Sequence, residues 1–296
     1  MLIIGCGYVG ERLARQYLDR DRPVQGLVRS SEGLARLAAL GIPGIRKDLA
    51  SDDLGDLPLD GAQVFHLAPP PGRGVEDTHT RRLVAALGRA GQPMRIVYVS
   101  TTGVYGDCQG AWVDESWPIQ PAADRSRRRW DAEQTLRRWS LETGGDLVIL
   151  RVAGIYGPDR LPLERIRQGV PLVRPEEAPF TNRIHAVDLV AALEAAMERG
   201  LSGGVYNACD GHPCTMTDYF LAVAAAAGLP RPPLISLAEA SGQLSEGMLS
   251  YLAESRRLSN RKLIEELGLS LRFPTLADGL RDLAELATWG TGSSPP

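Results

Sequence analysis

Short apolar runs alternate with amphipathic stretches through the first half of the chain. The runs of strand length cover residues 2–4, 24–28, 42–47, 64–67, 95–100 and 147–152. Between them apolar residues recur at helical spacing, as at Val9, Leu13 and Tyr17. Strands of a parallel sheet are buried on both faces, so they read as continuous apolar runs. The alternation predicts right-handed βαβ units and an α/β fold with a doubly wound parallel sheet.

The second half of the chain has a different pattern. Residues 154–185 and 201–296 are richer in Pro and Gly and less periodic, whereas 188–197 form a clean Ala-rich helical stretch. We therefore predict two discontinuous domains. Residues 1–153 plus 186–200 would form the sheet domain, and residues 154–185 plus 201–296 a smaller C-terminal substrate domain.

Composition excludes several classes of protein. The 296 residues are 44% hydrophobic and 23% charged with a net charge of −3, so no global basic field favours nucleic acid. The basic run 125–138, which includes Trp130, is weak evidence for such a partner. No apolar run has membrane-spanning length. The four cysteines are scattered, and their spacing matches neither a metal site nor a disulfide framework. We therefore predict that the protein binds no metal and is located in the reducing cytoplasm.

A glycine loop, Gly5-Cys-Gly7-Tyr8-Val9-Gly10, directly follows the first predicted strand and opens the first predicted helix. In this context Gly5 permits a tight turn, Gly7 admits a pyrophosphate and Gly10 allows close helix packing. The helix N-terminus attracts the phosphates. The loop predicts a Rossmann-type dinucleotide site, the alternative being an ordinary strand–turn–helix corner.

The end of the second predicted strand bears on the choice of cofactor. NAD-binding proteins usually carry an acidic residue there for the ribose hydroxyls. This chain has Arg29 and Ser30 instead, which favour the 2′-phosphate of NADP. Alternatively, Arg29 is a solvated strand end and Ser30 only caps the next helix.

Several further motifs occur in the order typical of one family. They are Asp48-Leu49, His66-Leu67-Ala68 followed by Pro69, Ser100-Thr101-Thr102-Gly103-Val104-Tyr105-Gly106, Leu150-Arg151 with Tyr156-Gly157-Pro158, and Arg183-Ile184-His185-Ala186-Val187-Asp188. Together with the glycine loop, the chain resembles the extended short-chain dehydrogenase/reductase family, in its NAD-dependent epimerase/dehydratase branch. The resemblance covers residues 1 to about 210.

The resemblance implies roles for these positions. Asp48 and Leu49 would contact the adenine, and Leu67, Ala68 and Pro69 would line the cofactor site. Thr101 falls on the catalytic Ser/Thr. Tyr156 and Arg183 would lie on the substrate side. The family further implies nucleotide-sugar substrates and a homodimer.

The catalytic Tyr-x-x-x-Lys element of the family has no match here. Counting from Pro121 to Glu133, Arg125 falls on the Tyr position and Arg129 on the Lys position. Four residues apart on a helix, both would face the cofactor. A guanidinium stays protonated and cannot replace the Tyr as acid or base. It can bind an anion or stabilise an oxyanion, and Arg129 can still hydrogen-bond the nicotinamide ribose.

The other candidate residues have structural alternatives. Thr101 either orients a substrate oxygen or bonds backbone at a strand end. Tyr105 and Tyr156 are better explained as packing residues. For His185 and Asp188, a junction hydrogen bond and a helix cap are favoured over an acid/base pair. Arg183 is either a phosphate ligand or a surface ion-pair residue.

Two functions follow from these features. The first is an NAD(P)-dependent oxidoreductase or epimerase/dehydratase-like enzyme acting on a small anionic or nucleotide-sugar substrate. The second is a non-catalytic NADP-binding regulator. The missing acid/base pair favours the regulator, whereas a separate substrate domain favours the enzyme, which we prefer.

Overall fold

The computed structural model describes residues 1–281. Its strands are β1 (Leu2–Ile4), β2 (Gln25–Val28), β3 (Gly44–Arg46), β4 (Gln63–His66), β5 (Arg95–Thr101), β6 (Trp112–Val113), β7 (Leu147–Val152), β8 (Gly154–Tyr156), β9 (Leu172–Val173), β10 (Phe180–Thr181), β11 (Arg183–His185), β12 (Val205–Ala208), β13 (Cys214–Thr215), β14 (Leu234–Ile235) and β15 (Arg257–Leu258).

The helices complete the chain order. They are α1 (Tyr8–Leu18), α2 (Ser31–Ala39), α3 (Thr78–Ala90), α4 (Asp124–Thr143), α5 (Leu163–Arg167), α6 (Ala186–Arg199), α7 (Met216–Ala226), α8 (Leu237–Gln243), α9 (Glu246–Leu252) and α10 (Arg261–Leu267), with a 3-10 turn at Thr102–Tyr105. In the part of the chain described here, no helix combines the length and apolar character needed to cross a membrane.

A seven-stranded sheet forms the centre of the molecule, in the order β12-β7-β5-β4-β1-β2-β3. Every neighbouring pair is parallel, which confirms the predicted Rossmann-type doubly wound sheet. The strand order reverses between β1 and β4. In sheets of this kind, ligands bind outside the carboxyl ends of the strands at such a switch point.

Both faces of the sheet are covered because successive strand residues point to opposite sides. Ile3 packs with α1 and α6 residues, including Leu13 and Leu193. Its neighbours Leu2 and Ile4 pack in a second cluster that holds residues of α3 and α4. This explains why the strand segments read as continuous apolar runs.

The predicted domain division stays a prediction, but one boundary needs correction. Strand β12 belongs to the sheet, where it pairs with β7 from Val205↔Ile149 to Ala208↔Val152. The sequence division at residue 200 placed it in the second domain, because a four-residue strand among Gly-rich turns gives little periodic signal. Residues 282–296 of that predicted domain lie outside the described residues.

The later part of the chain adds small strand pairs and short helices beyond the sheet. The pairs are β6 with β15, β8 with β11, β9 with β14 and β10 with β13. A separate apolar cluster includes Ile166 of α5 with Tyr219, Phe220 and Val223 of α7. These elements lie beside the carboxyl edge of β5 and β7 through segments 153–156 and 180–185.

The start of α6 differs from the sequence expectation. His185, not Asp188, caps this helix, since its Nδ1 accepts from the Val187 amide at 3.3 Å. The Asp188 carboxylate instead accepts the backbone N–H groups of Arg272 and Phe273 at 2.7 and 3.0 Å. Asp188 therefore fixes a later segment onto α6.

Candidate functional site

Two cavities lie along the carboxyl edge of the sheet. The glycine-loop cavity, about 300 Å³, adjoins the ends of β1, β2 and β4. The arginine cavity, about 510 Å³, adjoins the ends of β5 and β7 and the start of α4. Most of the predicted site residues line one of the two: Gly5, Gly7, Arg29, Ser30, Asp48, Leu49, Ala68 and Pro69 the first, and Thr101, Arg125, Arg129 and Arg183 the second.

The glycine loop shows a distinct requirement at each glycine. Gly5 has φ of +83°, and a Cβ there would lie 2.5 Å from backbone atoms of Ala68. A Cβ on Gly10 would lie 3.0 Å from Ile3 Cγ2, so this glycine brings α1 close to β1. A Cβ on Gly7 would meet no protein atom within 4 Å. Gly7 therefore faces open space that a ligand can fill.

Helix α1 begins directly after Gly7, and no side chain caps its N-terminus. The first turn of a helix presents unpaired N–H groups and a positive dipole end, which suit a phosphate. Val9 packs its side chain against the core. The Tyr8 phenol donates to the Pro158 carbonyl at 2.6 Å, which joins the loop to the segment after β8. The residues present fit a dinucleotide pyrophosphate.

Three cations line the glycine-loop cavity: Arg29 after β2, Arg36 on α2 and Lys47 after β3. Arg36 pairs with Glu11 at 2.6 Å, and Lys47 pairs with Asp56 at 2.7 Å. Within residues 1–281, Arg29 has no ion pair or hydrogen bond of its side chain. It is therefore the cation available to a bound anion.

Ser30 caps α2, since its Oγ accepts from the Gly33 amide at 3.1 Å. Its hydroxyl proton remains available, and the residue also lines the cavity. The structural and the binding interpretation of Ser30 are thus compatible.

The predicted adenine-side residues divide into two groups. Asp48, Leu49, Ala68 and Pro69 line the cavity. Leu67 does not, because its side chain packs against the core while its amide donates to the Ile4 carbonyl at 2.8 Å. Leu67 extends the β1–β4 pairing and holds Ala68 beside Gly5.

Thr101 ends β5 and lines the arginine cavity. Its Oγ1 accepts from the Gly103 amide at 3.2 Å and caps the 3-10 turn. Thr101 thus makes the backbone hydrogen bond at the strand end that is one of the two roles predicted for it from the sequence. The bond uses an oxygen lone pair, so the hydroxyl proton can still be donated to a ligand.

Arg129 lies one turn after Arg125 on α4, as the spacing predicts. Its Nη1 donates to the Val99 carbonyl at 3.0 Å and lies 3.3 Å from the Ala68 carbonyl and from the Tyr98 phenol. These contacts place its guanidinium between the ends of β4 and β5, on the cofactor side of the arginine cavity.

Arg125 makes different contacts. Its Nη1 donates to the Ser250 hydroxyl at 2.7 Å, and its Cζ lies 4.1 Å from the centroid of the Tyr251 ring. The guanidinium therefore connects the start of α4 to α9. This contact with the C-terminal region was not predicted from the sequence.

The two predicted substrate-side residues differ. Arg183 lines the arginine cavity and stacks on Tyr219, with Cζ 4.2 Å from the ring centroid. Tyr156 is fully buried, packs against the His185 ring, and lines neither cavity. The expected contact of Tyr156 with substrate stays a prediction, which its burial does not support. The packing role that the sequence already favoured describes it better.

A buried ionic network supports the floor of the arginine cavity. Glu133 accepts from the Ser100 hydroxyl at 2.6 Å and from Arg151 at 2.9 Å. Arg151 also donates to the Tyr105 phenol at 3.0 Å. Burial raises the pKa of Tyr105 to about 12, so this phenol is a hydrogen-bonding group in the core and stays protonated.

A buried carboxyl lies next to Arg183. The Asp210 amide donates to the Arg183 carbonyl at 2.8 Å, and Asp210 Oδ1 accepts from the His212 amide. Burial raises the pKa of Asp210 to about 6, although the His212 amide and Arg183 oppose this shift. The charge of this carboxyl therefore changes near neutral pH.

Sequence reasoning missed several lining residues. They are Arg36, Lys47 and His79 in the glycine-loop cavity, and Arg160, Tyr251, Glu254 and Arg256 in the arginine cavity. Lys47 stands directly before the Asp48-Leu49 motif, which was a usable signal. Residues 251–256 carry no motif, and only tertiary packing brings them to the site.

A larger cavity, about 780 Å³, lies beside the edge strand β12. It is lined by charges of both signs, including Glu115, Arg137, Arg261 and Glu265. None of the predicted site residues reaches it. No glycine-loop residue lines this cavity. We therefore do not take it as the functional site, although it is larger than the other two.

Comparison with known proteins agrees with this geometry. The model of the NAD dependent epimerase/dehydratase family matches residues 1–209. Among curated relatives, the chain is 27% identical to protein YeeZ of Escherichia coli, over 92% of this chain and 95% of YeeZ. It is 26% identical to 4-hydroxy-2-methyl-3-oxo-4-farnesyl-3,4-dihydroquinoline-1-oxide ketoreductase of Stigmatella aurantiaca, over 98% and 97% of the two chains.

A solved structure shows the same fold. MoeE5, determined in complex with UDP-glucose and NAD, is 23% identical and superposes with a TM-score of 0.77. The superposition covers 98% of this chain and 99% of MoeE5. The likeness therefore extends beyond the sheet to the elements around the arginine cavity.

Proposed function

Because this chain belongs to the NAD-dependent epimerase/dehydratase family, we propose that it is an NADP(H)-dependent enzyme. It would act on a small anionic or nucleotide-sugar substrate, as an oxidoreductase or an epimerase/dehydratase. The observation that carries the proposal is the open space at Gly7, directly before the N-terminus of α1. In the described part of the chain, no side chain caps that helix end. A dinucleotide pyrophosphate fits this position by charge and by shape.

The remaining cofactor contacts follow from the two cavities. Asp48 and Leu49 would hold the adenine end, and Arg129 would face the nicotinamide ribose. Arg29 supports NADP rather than NAD, because it is a cation without an ionic partner in the described part of the chain and stands where NAD-binding proteins place a carboxylate. A 2′-phosphate at this position would receive a charge-assisted hydrogen bond.

The arginine cavity supports an anionic substrate. Its lining contains five arginines, Arg125, Arg129, Arg160, Arg183 and Arg256, and one carboxylate, Glu254, which pairs with Arg256 at 2.9 Å. So large an excess of positive charge favours phosphate or carboxylate groups. A nucleotide sugar, with its diphosphate, meets this requirement, as does a smaller acidic carbonyl compound.

The chemistry divides between cofactor and protein. A nicotinamide ring accepts or supplies a hydride. The Thr101 hydroxyl would donate a hydrogen bond to the reacting oxygen, and the nearby guanidinium groups would stabilise negative charge that develops on it. Helix α4 contains neither tyrosine nor lysine, so the proton has to come from another element.

That absence is also the observation that favours the second candidate, a non-catalytic NADP-binding regulator. In this case the arginine cavity would bind an anionic effector, and no product would form. The separate cavity beside the glycine loop agrees with both candidates, and turnover separates them.

The test is incubation of the purified protein with NADPH or NADP⁺ and a panel of nucleotide sugars and acidic carbonyl compounds. Cofactor oxidation is followed by absorbance, and sugar products are identified by chromatography and mass spectrometry. We expect conversion of at least one substrate class. Cofactor binding without any conversion would contradict the enzyme and favour the regulator.

The predicted two-domain division, the homodimer and the cytoplasmic location remain part of this proposal. The elements around the arginine cavity would form the substrate domain. A sedimentation experiment on the full chain would test the dimer.

A further inference from the structure

The arginine cavity offers few groups that can exchange a proton. Its titratable side chains are five arginines, Glu254 and Tyr251. A guanidinium does not deprotonate in a protein. The Glu254 carboxylate is largely buried and held by Arg256 at 2.9 Å. Among the described lining residues, Tyr251 is therefore the acid whose proton is free to be transferred.

Tyr251 is held in the cavity wall by the residue that replaces the family's tyrosine. The Arg125 guanidinium stacks on its ring at 4.1 Å and donates to the hydroxyl of the adjacent Ser250 at 2.7 Å. These two contacts fix the end of α9 against the start of α4. Arg125 thus places a phenol from the C-terminal region beside the position from which the phenol of α4 is missing.

The other seven tyrosines do not offer a free phenol to this cavity. Six are buried, and the seventh, Tyr8, donates its phenol proton to the Pro158 carbonyl. Tyr98 and Tyr105 lie nearest to Thr101 in sequence, and burial raises the pKa of each to about 12. By contrast, Tyr251 is 52% exposed, and its phenol has no hydrogen-bond partner within residues 1–281.

We propose that Tyr251 is the catalytic acid of this protein and supplies the proton that the α4 tyrosine supplies in its relatives. The inference rests on the proposed function. When a substrate carbonyl is reduced, the carbonyl carbon receives a hydride from the reduced nicotinamide. The Tyr251 Oη–H bond breaks, a new O–H bond forms on the substrate oxygen, and the tyrosinate remains. In the reverse direction, the tyrosinate accepts the hydroxyl proton.

The solvent exposure of Tyr251 allows its phenol to be reprotonated after each turnover. Half of the side chain contacts solvent, so water can return a proton to Oη after each turnover. The stacked Arg125 guanidinium compensates the negative charge of the tyrosinate in the interval. Arg125 is in this sense a positioning residue, and Tyr251 is the group that touches substrate.

The first test is Tyr251→Phe, which removes the proton and keeps the ring stacked on Arg125. We expect turnover to fall by about 100-fold or more, the usual contribution of a general acid. NADPH affinity and the melting temperature should remain unchanged. Tyr17→Phe is the matched control, because that phenol is buried on α1, has no hydrogen-bond partner among the described residues and lines neither cavity.

The second test does not depend on turnover. Tetranitromethane should nitrate Tyr251 first, because it is the exposed tyrosine, and mass spectrometry confirms the position. The visible absorbance of the nitrophenol then reports its surroundings. We expect NADP⁺ to shift this band and 2′-phospho-ADP-ribose, which lacks the nicotinamide, to leave it unchanged. A band that does not respond to bound NADP⁺ would overturn the inference.

The experiments distinguish failure of the Tyr251 assignment from failure of the enzyme assignment. If Tyr251→Phe turns over substrate at the wild-type rate, Tyr251 is not the catalytic acid, and the enzyme assignment remains intact. Absence of turnover in the wild type removes the enzyme assignment, and the role of Tyr251 as catalytic acid with it.

Discussion

At the scale of single residues, we predict that Arg29 determines the choice between NADP and NAD. Arg29 has no ionic partner among residues 1–281, whereas Arg36 and Lys47, which line the same cavity, are already held by carboxylates. An arginine hydrogen bond to a phosphate contributes roughly 1.5–3 kcal/mol. Its loss should affect only the cofactor that carries a 2′-phosphate.

We therefore predict that Arg29→Ala weakens NADPH binding by about 10- to 100-fold and leaves NADH binding unchanged. Fluorescence titration of both cofactors measures this. Arg46→Ala is the control, because Arg46 ends the neighbouring strand β3 without lining the cavity. Equal losses for both cofactors would show that Arg29 serves the fold or the pyrophosphate instead.

Asp210 gives the protein a pH-dependent stability. Burial raises its pKa to about 6 in the folded protein from an ordinary value of 3.8, and within residues 1–281 its Oδ2 has no hydrogen-bond partner. The folded state thus holds this proton more tightly than the unfolded state. The resulting stability is fully present below the ordinary value and is lost as pH rises through about 6.

Asp210→Asn cannot ionise and keeps an oxygen for the His212 amide. We expect this variant to be more stable than the wild type at about pH 8, by on the order of 1–3 kcal/mol. The difference should shrink as the pH approaches 4. Urea unfolding across pH measures it, with the exposed Asp19→Asn as control. A difference that does not depend on pH would contradict the assignment.

At this scale the sequence predicted the loop residues better than the cavity residues. Gly5, Gly7 and Gly10 follow from a local motif, because a strand, a turn and a helix are consecutive in the chain. Tyr251 stands more than 100 residues from Arg125. Its contact depends on packing of α9 that no local pattern encodes.

Helix α4 is the element that joins the sheet to the site. Its inner face carries Glu133, whose buried carboxylate binds Ser100 of β5 and Arg151 of β7. The residues at its start, Arg125 and Arg129, reach the cavity. The Glu133–Arg151 pair therefore sets the position of α4 over both strands.

Removal of Arg151 should be costly, because the buried Glu133 carboxylate loses its ion pair at 2.9 Å and is left with the longer contact to Arg137 at 3.7 Å. We predict that Arg151→Met destabilises the protein by about 3–5 kcal/mol, and that adding Glu133→Leu recovers much of this. Urea unfolding tests both variants beside the exposed Arg138→Met on the same helix. A double variant no more stable than Arg151→Met would contradict the ionic account.

Element boundaries were harder to predict than element types. The sequence predicted that Arg125 and Arg129 lie on one helix without giving its bounds, and α4 covers Asp124–Thr143. Its first turns are Arg-rich and lack apolar periodicity, because they face the cavities and not the core. The strand β12 was missed as a sheet member because Asn207 interrupts its apolar residues, so Val205–Ala208 is not a continuous apolar run.

The whole molecule places two cavities on one edge of a single sheet. The glycine-loop cavity is built almost entirely from residues 5–79, a continuous segment. The arginine cavity collects residues from 70 to 256. This explains why the residues of the glycine-loop cavity were predictable from sequence, whereas those of the arginine cavity were predictable only where they belong to a motif.

The most direct test of the account is calorimetric titration of NADPH into the wild type, Gly7→Ala and Gly88→Ala. A Cβ on either glycine meets no protein atom within 4 Å, but Gly88 lies on α3 away from the loop. We predict one site per chain in the wild type and in Gly88→Ala. Gly7→Ala should fold normally yet bind at least about 10-fold more weakly, a loss of 1.4 kcal/mol or more. No binding to the wild type, or undiminished binding to Gly7→Ala, would contradict the proposed cofactor site.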